Sequence, residues 1–170
     1  MDSPFVAVLM GSDTDLPVLE VTIKTLNALG VLVEARILSA HRMPTALADY
    51  VLDADKRGCA VFIAAAGLAA HLAGAVAAHT LKPVIGVPMD AGTLGGIDAL
   101  LATVQMPSGT PVACTAIGAA GAKNAAILAG QILALSNPSI TVGLAALRQE
   151  KRTALDIADQ SLREKITNAA

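Results

Sequence analysis

The sequence predicts a three-layer αβα sandwich, a doubly wound parallel sheet followed by an amphipathic C-terminal helix. Three observations carry the prediction. Between residues 5 and 136, short continuous apolar runs alternate with longer stretches of helical apolar spacing. That is the pattern of strands buried on both faces, joined by crossover helices. Most runs end at Gly or small polar residues, where loops form. After Pro138 the composition shifts, with charge concentrated over residues 139–167 while Leu144, Leu147, Leu155, Ala158, Leu162 and Ile166 keep roughly helical spacing.

Residues 5–10 form the first strand, stopped by Gly11-Ser12. A helix over 16–29 follows, with Asp13, Thr14 or Asp15 available to cap it and Gly30 to end it. The second strand, 31–38, runs into the loop Ser39-Ala40-His41-Arg42-Met43-Pro44, and Pro44 suits the first turn of a helix to about residue 57. Residues 59–66 are the third strand, before a turn at Gly67 and a helix around 70–80. A fourth strand over 83–87, a glycine-rich stretch over 90–96, a short helix over 97–104 and a fifth strand over 110–117 come next. Gly118 to Gly121 open the long helix 122–135. Five β-α repeats with right-handed crossovers make a flavodoxin-like or Rossmann-like sheet, whose ligands bind at the carboxyl ends of the strands where the strand order reverses. The 170 residues suit one domain, with its core at about 5–136 and a helical tail at about 139–167.

Composition narrows the function. Hydrophobic residues make up 54% and charged residues 15%, yet no apolar run approaches the ~18 residues of a membrane span. A chain this apolar, with few charges to solvate it, is expected to bury further surface in a homo-oligomer. The net charge of −2 and the 2% aromatic content exclude the basic patches and stacking platforms of nucleic-acid binding. Met1 to Pro4 lack a basic leader region, and Cys59 and Cys114 fall in predicted strands as buried structural thiols, so a cytoplasmic location is expected.

Two polar loops stand out. Gly11-Ser12-Asp13-Thr14-Asp15 places hydroxyls and free N–H groups at a helix start, with carboxylates beside them. This mixture suits a nucleotide-like ligand whose ribose meets an Asp and whose phosphate lies near Ser and Thr. Simple helix capping explains the same residues, and the loop has neither Walker nor GxGxxG spacing. Next to it, His41 can move protons near neutral pH and Arg42 can grip phosphate. His71 and His79, eight apart in a predicted helix, lack the spacing and companions of a zinc site, so capping or interhelical contact is the simpler reading.

Five motifs in order, Met10-Gly11-Ser12-x-x-Asp15, Ser39-Ala40-His41-Arg42-x-Pro44, Ala69-Ala70-His71-Leu72, Gly86-Val87-Pro88, and Val104-Gln105-Met106-Pro107-x-Gly109 with Ala116-Ile117-Gly118, resemble the PurE family. The resemblance spans about residues 5–136 and favours the class that rearranges N5-carboxyaminoimidazole ribonucleotide to 4-carboxy-5-aminoimidazole ribonucleotide in purine biosynthesis. It implies no metal and no organic cofactor, a small ribonucleotide substrate, a homo-octamer, and no nucleic-acid or membrane partner. By resemblance, His41 is the acid/base. Arg42 and Ser12 hold the 5′-phosphate region, and Asp15 contacts the ribose. Gly11 and His71 join the substrate site, and Ser39, Ala66, Gly67 and Ala69 shape the pocket that retains CO2.

A second class of the family carboxylates aminoimidazole ribonucleotide directly and usually carries Lys in place of Arg42. A non-catalytic nucleotide-binding relative is the third reading. Three residues depart from the mutase pattern: Leu68 for a glycine, Ala73 for a proline and Ser108 for a frequent arginine. A bulky Leu68 bears on how closely the backbone approaches the substrate.

Overall fold

In the computed structural model, which describes residues 4–168, the strands are β1 (Phe5–Met10), β2 (Leu32–Ile37), β3 (Cys59–Ala66), β4 (Val84–Pro88) and β5 (Ala113–Cys114). They form one parallel sheet in the order β2-β1-β3-β4-β5. This is the flavodoxin-like order, reversing between β1 and β3. The helices are α1 (Leu16–Ala28), α2 (Pro44–Lys56), α3 (Leu72–Ala77), α4 (Ile97–Val104), α5 (Gly118–Ala134) and α6 (Pro138–Thr167).

β1 is buried throughout, so both of its faces are core. Because successive side chains point to opposite faces, Val6, Val8 and Met10 pack with α1, α5 and Ile140 of α6, whereas Phe5, Ala7 and Leu9 pack with α2 and α3. Register keeps the carboxyl ends level. Met10 lies beside Ile37 and Ala65, and the pairing continues as Gly11 N–H donates to Ala65 O at 3.1 Å and Leu38 N–H to Met10 O at 2.9 Å. The loops after β1, β2 and β3 therefore leave the sheet side by side.

Small residues set the layer spacing. A Cβ on Gly121 would lie 1.6 Å from the carbonyl oxygen of Ala116, so only glycine lets α5 start this close to the preceding turn. Burial pushes the Cys59 thiol up to about 11, as expected of an inert buried cysteine; Cys114 is half-buried, with its thiol also raised by burial.

Several elements differ from expectation. β5 pairs over two residues rather than 110–117, because Pro111 has no N–H to donate; Thr115 N–H still reaches Gly86 O at 2.9 Å. α3 covers six residues, Leu72–Ala77, rather than 70–80. His71 and His79 therefore flank a short helix rather than sharing a long one. Asp15, one of the three expected candidates, occupies the N-cap position of α1 but makes no side-chain cap bond there; the side-chain cap lies one turn earlier, where Ser12 opens a 3-10 turn over Asp13–Asp15 that leads into α1. α5 begins at Gly118, ahead of 122.

α6 divides into two parts. Ile140, Leu144 and Leu147 pack on the core, while every residue from Arg148 to Asn168 is exposed, including Leu155, Ile157, Leu162 and Ile166. Twenty helical residues extend about 30 Å. Leu94, Ile97, Leu101 and Val104 form a second exposed apolar stripe, along and before α4. No helix among the described residues is long and apolar enough to cross a membrane.

Candidate active site

At the β1/β3 switch point a cleft of about 490 Å³ opens among the loops after β1, β2 and β3, with Ala91 reaching in from the loop after β4. In the first loop, Ser12 is extended and its Oγ accepts from Thr14 N–H at 3.3 Å. Ser12 N–H donates to Asp15 Oδ2 at 3.2 Å, completing a capping box. Burial raises the Asp15 carboxyl above its ordinary value, against the opposing pull of the Ser12 and Gly11 N–H groups.

The second loop is tied to the first through Arg42. Its Nη2 donates to Gly11 O at 3.0 Å, and its backbone N–H and Nε donate to the buried Ser39 Oγ at 3.3 and 3.4 Å. Those bonds aim the guanidinium across the cleft mouth, where it stays exposed to a ligand.

His41 and His71 meet although 30 residues separate them. His41 Nε2 and His71 Nδ1 share a 2.7 Å hydrogen bond, with the rings perpendicular and 4.9 Å apart. Both rings are exposed, so the pair faces whatever enters.

The third loop supplies small residues and one exception. A Cβ on Gly67 would come 2.8 Å from Ala91 Cβ, so glycine is needed where the two loops meet. Leu68 follows with φ +55°, the one non-glycine residue in left-handed conformation among the described residues. For an L-residue this costs about 1–2 kcal/mol.

All ten residues singled out from sequence, Gly11, Ser12, Asp15, Ser39, His41, Arg42, Ala66, Gly67, Ala69 and His71, line this cleft. His79 does not. Sequence reasoning missed Ala91, an alanine with no chemical signal, and the His41–His71 contact, because it grouped His71 with His79. Among the described residues, no three or more His, Cys, Asp or Glu come together as metal ligands.

A flavodoxin-order sheet with a mostly apolar cleft and a few convergent polar groups at its switch point is the arrangement of a small-molecule-binding α/β protein, and comparison with known proteins narrows it further. The family model described as AIR carboxylase matches residues 5–154, and the chain belongs to that family. It is 48% identical over 149 residues to an N5-carboxyaminoimidazole ribonucleotide mutase of Pyrococcus abyssi, covering 88% of this chain and 84% of that protein. It is also 47% identical over 155 residues to the bifunctional purine synthesis protein purC/E of Dictyostelium discoideum, covering 91% of this chain and 16% of that longer protein. The crystal structure of Treponema denticola PurE superposes with a TM-score of 0.85 at 25% identity, covering 94% of this chain and 99% of that one.

Proposed function

We propose that this protein is an N5-carboxyaminoimidazole ribonucleotide mutase, an isomerase of purine biosynthesis. The mutase relatives support the activity. The observation that carries the site is that His41 and Arg42 face Ser12 and Asp15 across one cleft at the β1/β3 switch point.

In the proposed reaction the N5–carboxylate bond breaks, its electron pair stays on N5, and N5 takes a proton from His41. Carbon C4 then attacks the freed CO2, and the C4 proton passes to His41, which returns to its starting state. One imidazole serves both transfers, donating through a ring nitrogen in the first step and accepting at it in the second. Arg42 and Ser12 take the 5′-phosphate, and Asp15 the ribose hydroxyls. Gly11, Ser39, Ala66, Gly67 and Ala69 leave room for the ring and the one-carbon fragment, and His71 lies within reach of both His41 and the substrate.

The proposed assembly is a cytoplasmic homo-octamer. The stripe along α4 and the row of Leu155, Leu162 and Ile166 on the exposed outer length of α6 support self-association, being apolar side chains with nothing from their own chain against them.

The test is conversion of purified N5-carboxyaminoimidazole ribonucleotide without added bicarbonate, by the wild type and His41→Asn. The expected result is turnover by the wild type and a loss of about 10²–10⁴-fold in the variant. Turnover only of aminoimidazole ribonucleotide with bicarbonate would identify the direct carboxylase instead, and equal rates would remove His41 from the chemistry.

A further inference from the structure

The loops after β3 and β4 interlock reciprocally. Ala91 presses on Gly67, and the Leu68 side chain lies against Gly92, its Cδ2 only 2.6 Å from where a Cβ there would sit. Gly92 is itself at φ +71°, so each loop offers bare backbone to the other's side chain. Leu68 holds this position in left-handed backbone and leaves 55% of its surface exposed at the cleft. Among the described residues the other large aliphatic side chain lining the cleft is Leu72, which is 1% exposed and belongs to the core. Strain kept at a functional cleft, with an exposed leucine as its product, calls for a use that glycine would not serve.

We propose that Leu68 is a partition-determining residue, its isobutyl group walling the β3–β4 side of the cleft so that CO2 released from N5 stays beside C4. The inference rests on the mutase reading above. CO2 is uncharged and has no dipole, so the hydrogen-bonding groups of Ser12, Arg42 and the histidines grip it poorly. Its escape is opposed chiefly by close apolar contact. Escape leaves aminoimidazole ribonucleotide and free CO2, whereas retention gives the C4 carboxylate. Leu68 thus acts on the ratio of these outcomes more than on how fast the N5–C bond breaks.

The experiment supplies substrate labelled with ¹³C in its carboxylate, in unlabelled bicarbonate. It reads label retained in product, and free aminoimidazole ribonucleotide per turnover, after subtracting the enzyme-free decay. The wild type is compared with Leu68→Ala, Leu68→Gly and Leu68→Met. Alanine keeps the strained backbone and glycine relieves it, yet both lack the isobutyl group, so a shared defect assigns the effect to the side chain.

Both are expected to raise free aminoimidazole ribonucleotide per turnover about tenfold, the low end of what one methylene contributes in an apolar pocket. Met restores retention. Gly92→Ala, whose new Cβ displaces the leucine, should reproduce the defect. Label retention equal to wild type in Leu68→Ala and Leu68→Gly, in a chain that still turns over, overturns the role of Leu68 alone. Absence of wild-type turnover overturns the mutase reading with it.

Discussion

His71→Ala tests whether the contact between the two histidines matters to catalysis. The 2.7 Å separation of His41 Nε2 and His71 Nδ1 is short for a nitrogen pair. In the proposed reaction His41 carries a positive charge before and after its transfers, so the bond is charge-assisted. Stabilising the resting cation does not itself speed the transfers; the bond acts by fixing the ring's orientation. If losing that alignment costs as much as such a bond is worth, about 1.5–3 kcal/mol, each ~1.4 kcal/mol is tenfold in rate. Because both rings are exposed, water competes for the lost partner, which places the effect at the lower end. We expect kcat to fall about tenfold to thirtyfold, with KM changed less than about threefold because the Arg42 and Asp15 contacts are untouched. Steady-state kinetics on the carboxylated ribonucleotide measure both. His71→Asn, which retains a hydrogen-bonding atom near the Nδ1 position, should recover part of the loss. A kcat within twofold of wild type in His71→Ala, or no recovery in His71→Asn, would refute His71 as a positioning residue for His41.

Arg42→Ala should weaken nucleotide binding by about 10–100-fold while leaving affinity for the dephosphorylated riboside unchanged in competition assays, since a charged hydrogen-bonding partner is lost only by the phosphate. Asp15→Asn keeps an acceptor for Ser12 N–H but removes a carboxyl whose pKa is raised in the fold from 3.8. A raised carboxyl opposes folding once ionised, so the variant should resist urea better than wild type at neutral pH, the advantage vanishing as pH falls through the folded value to 3.8, and its substrate affinity should fall. Gly121→Ala drives a Cβ into the Ala116 carbonyl, an overpacking cost of about 3 kcal/mol, or roughly 6–12 °C in thermal midpoint. Deleting the chain from Arg148 onward removes only exposed helix among the described residues, so light scattering should report a smaller assembly from a chain that still folds; an unchanged mass would separate α6 from assembly.

The parts of the fold legible in sequence were those whose signal is local. β3 and α4 begin and end where expected, because each is a compact run bounded by residues that break it: Gly58 and Gly67 for β3, Gly96 before α4. β5 is shorter than its apolar run because Pro111 lacks a donor, an effect that residue hydrophobicity does not carry, and α3 is shorter than its alanine-rich run of helical spacing. In the site, Ser12, His41 and Arg42 were visible because polar residues are scarce in a chain that is 15% charged. The His41–His71 bond and the Leu68–Gly92 lock were not, since each joins loops from different strands and depends on the register that levels the strand ends.

The cleft is assembled before any ligand arrives. Arg42 is bonded to Gly11 and Ser39, Ser12 and Asp15 cap each other, and His41 is held by His71, so three loops from three strands are cross-tied by their own polar groups. Each tie uses a group that the proposed substrate also needs, which lowers the ordering cost of binding and makes capping and recognition properties of the same atoms. What the single chain does not supply is closure. His41, Arg42 and His71 are exposed, whereas retaining CO2 requires exclusion of water. The same chain leaves the α4 stripe and the outer part of α6 bare; α6 starts beside Gly30 and Val31 at the far end of the sheet, whereas the α4 stripe follows the loop that carries Ala91 into the cleft. Under the proposed assembly, a neighbouring copy seated on the α4 stripe would bury apolar surface and shield the open cleft with one contact, which is how association would bear on CO2 retention.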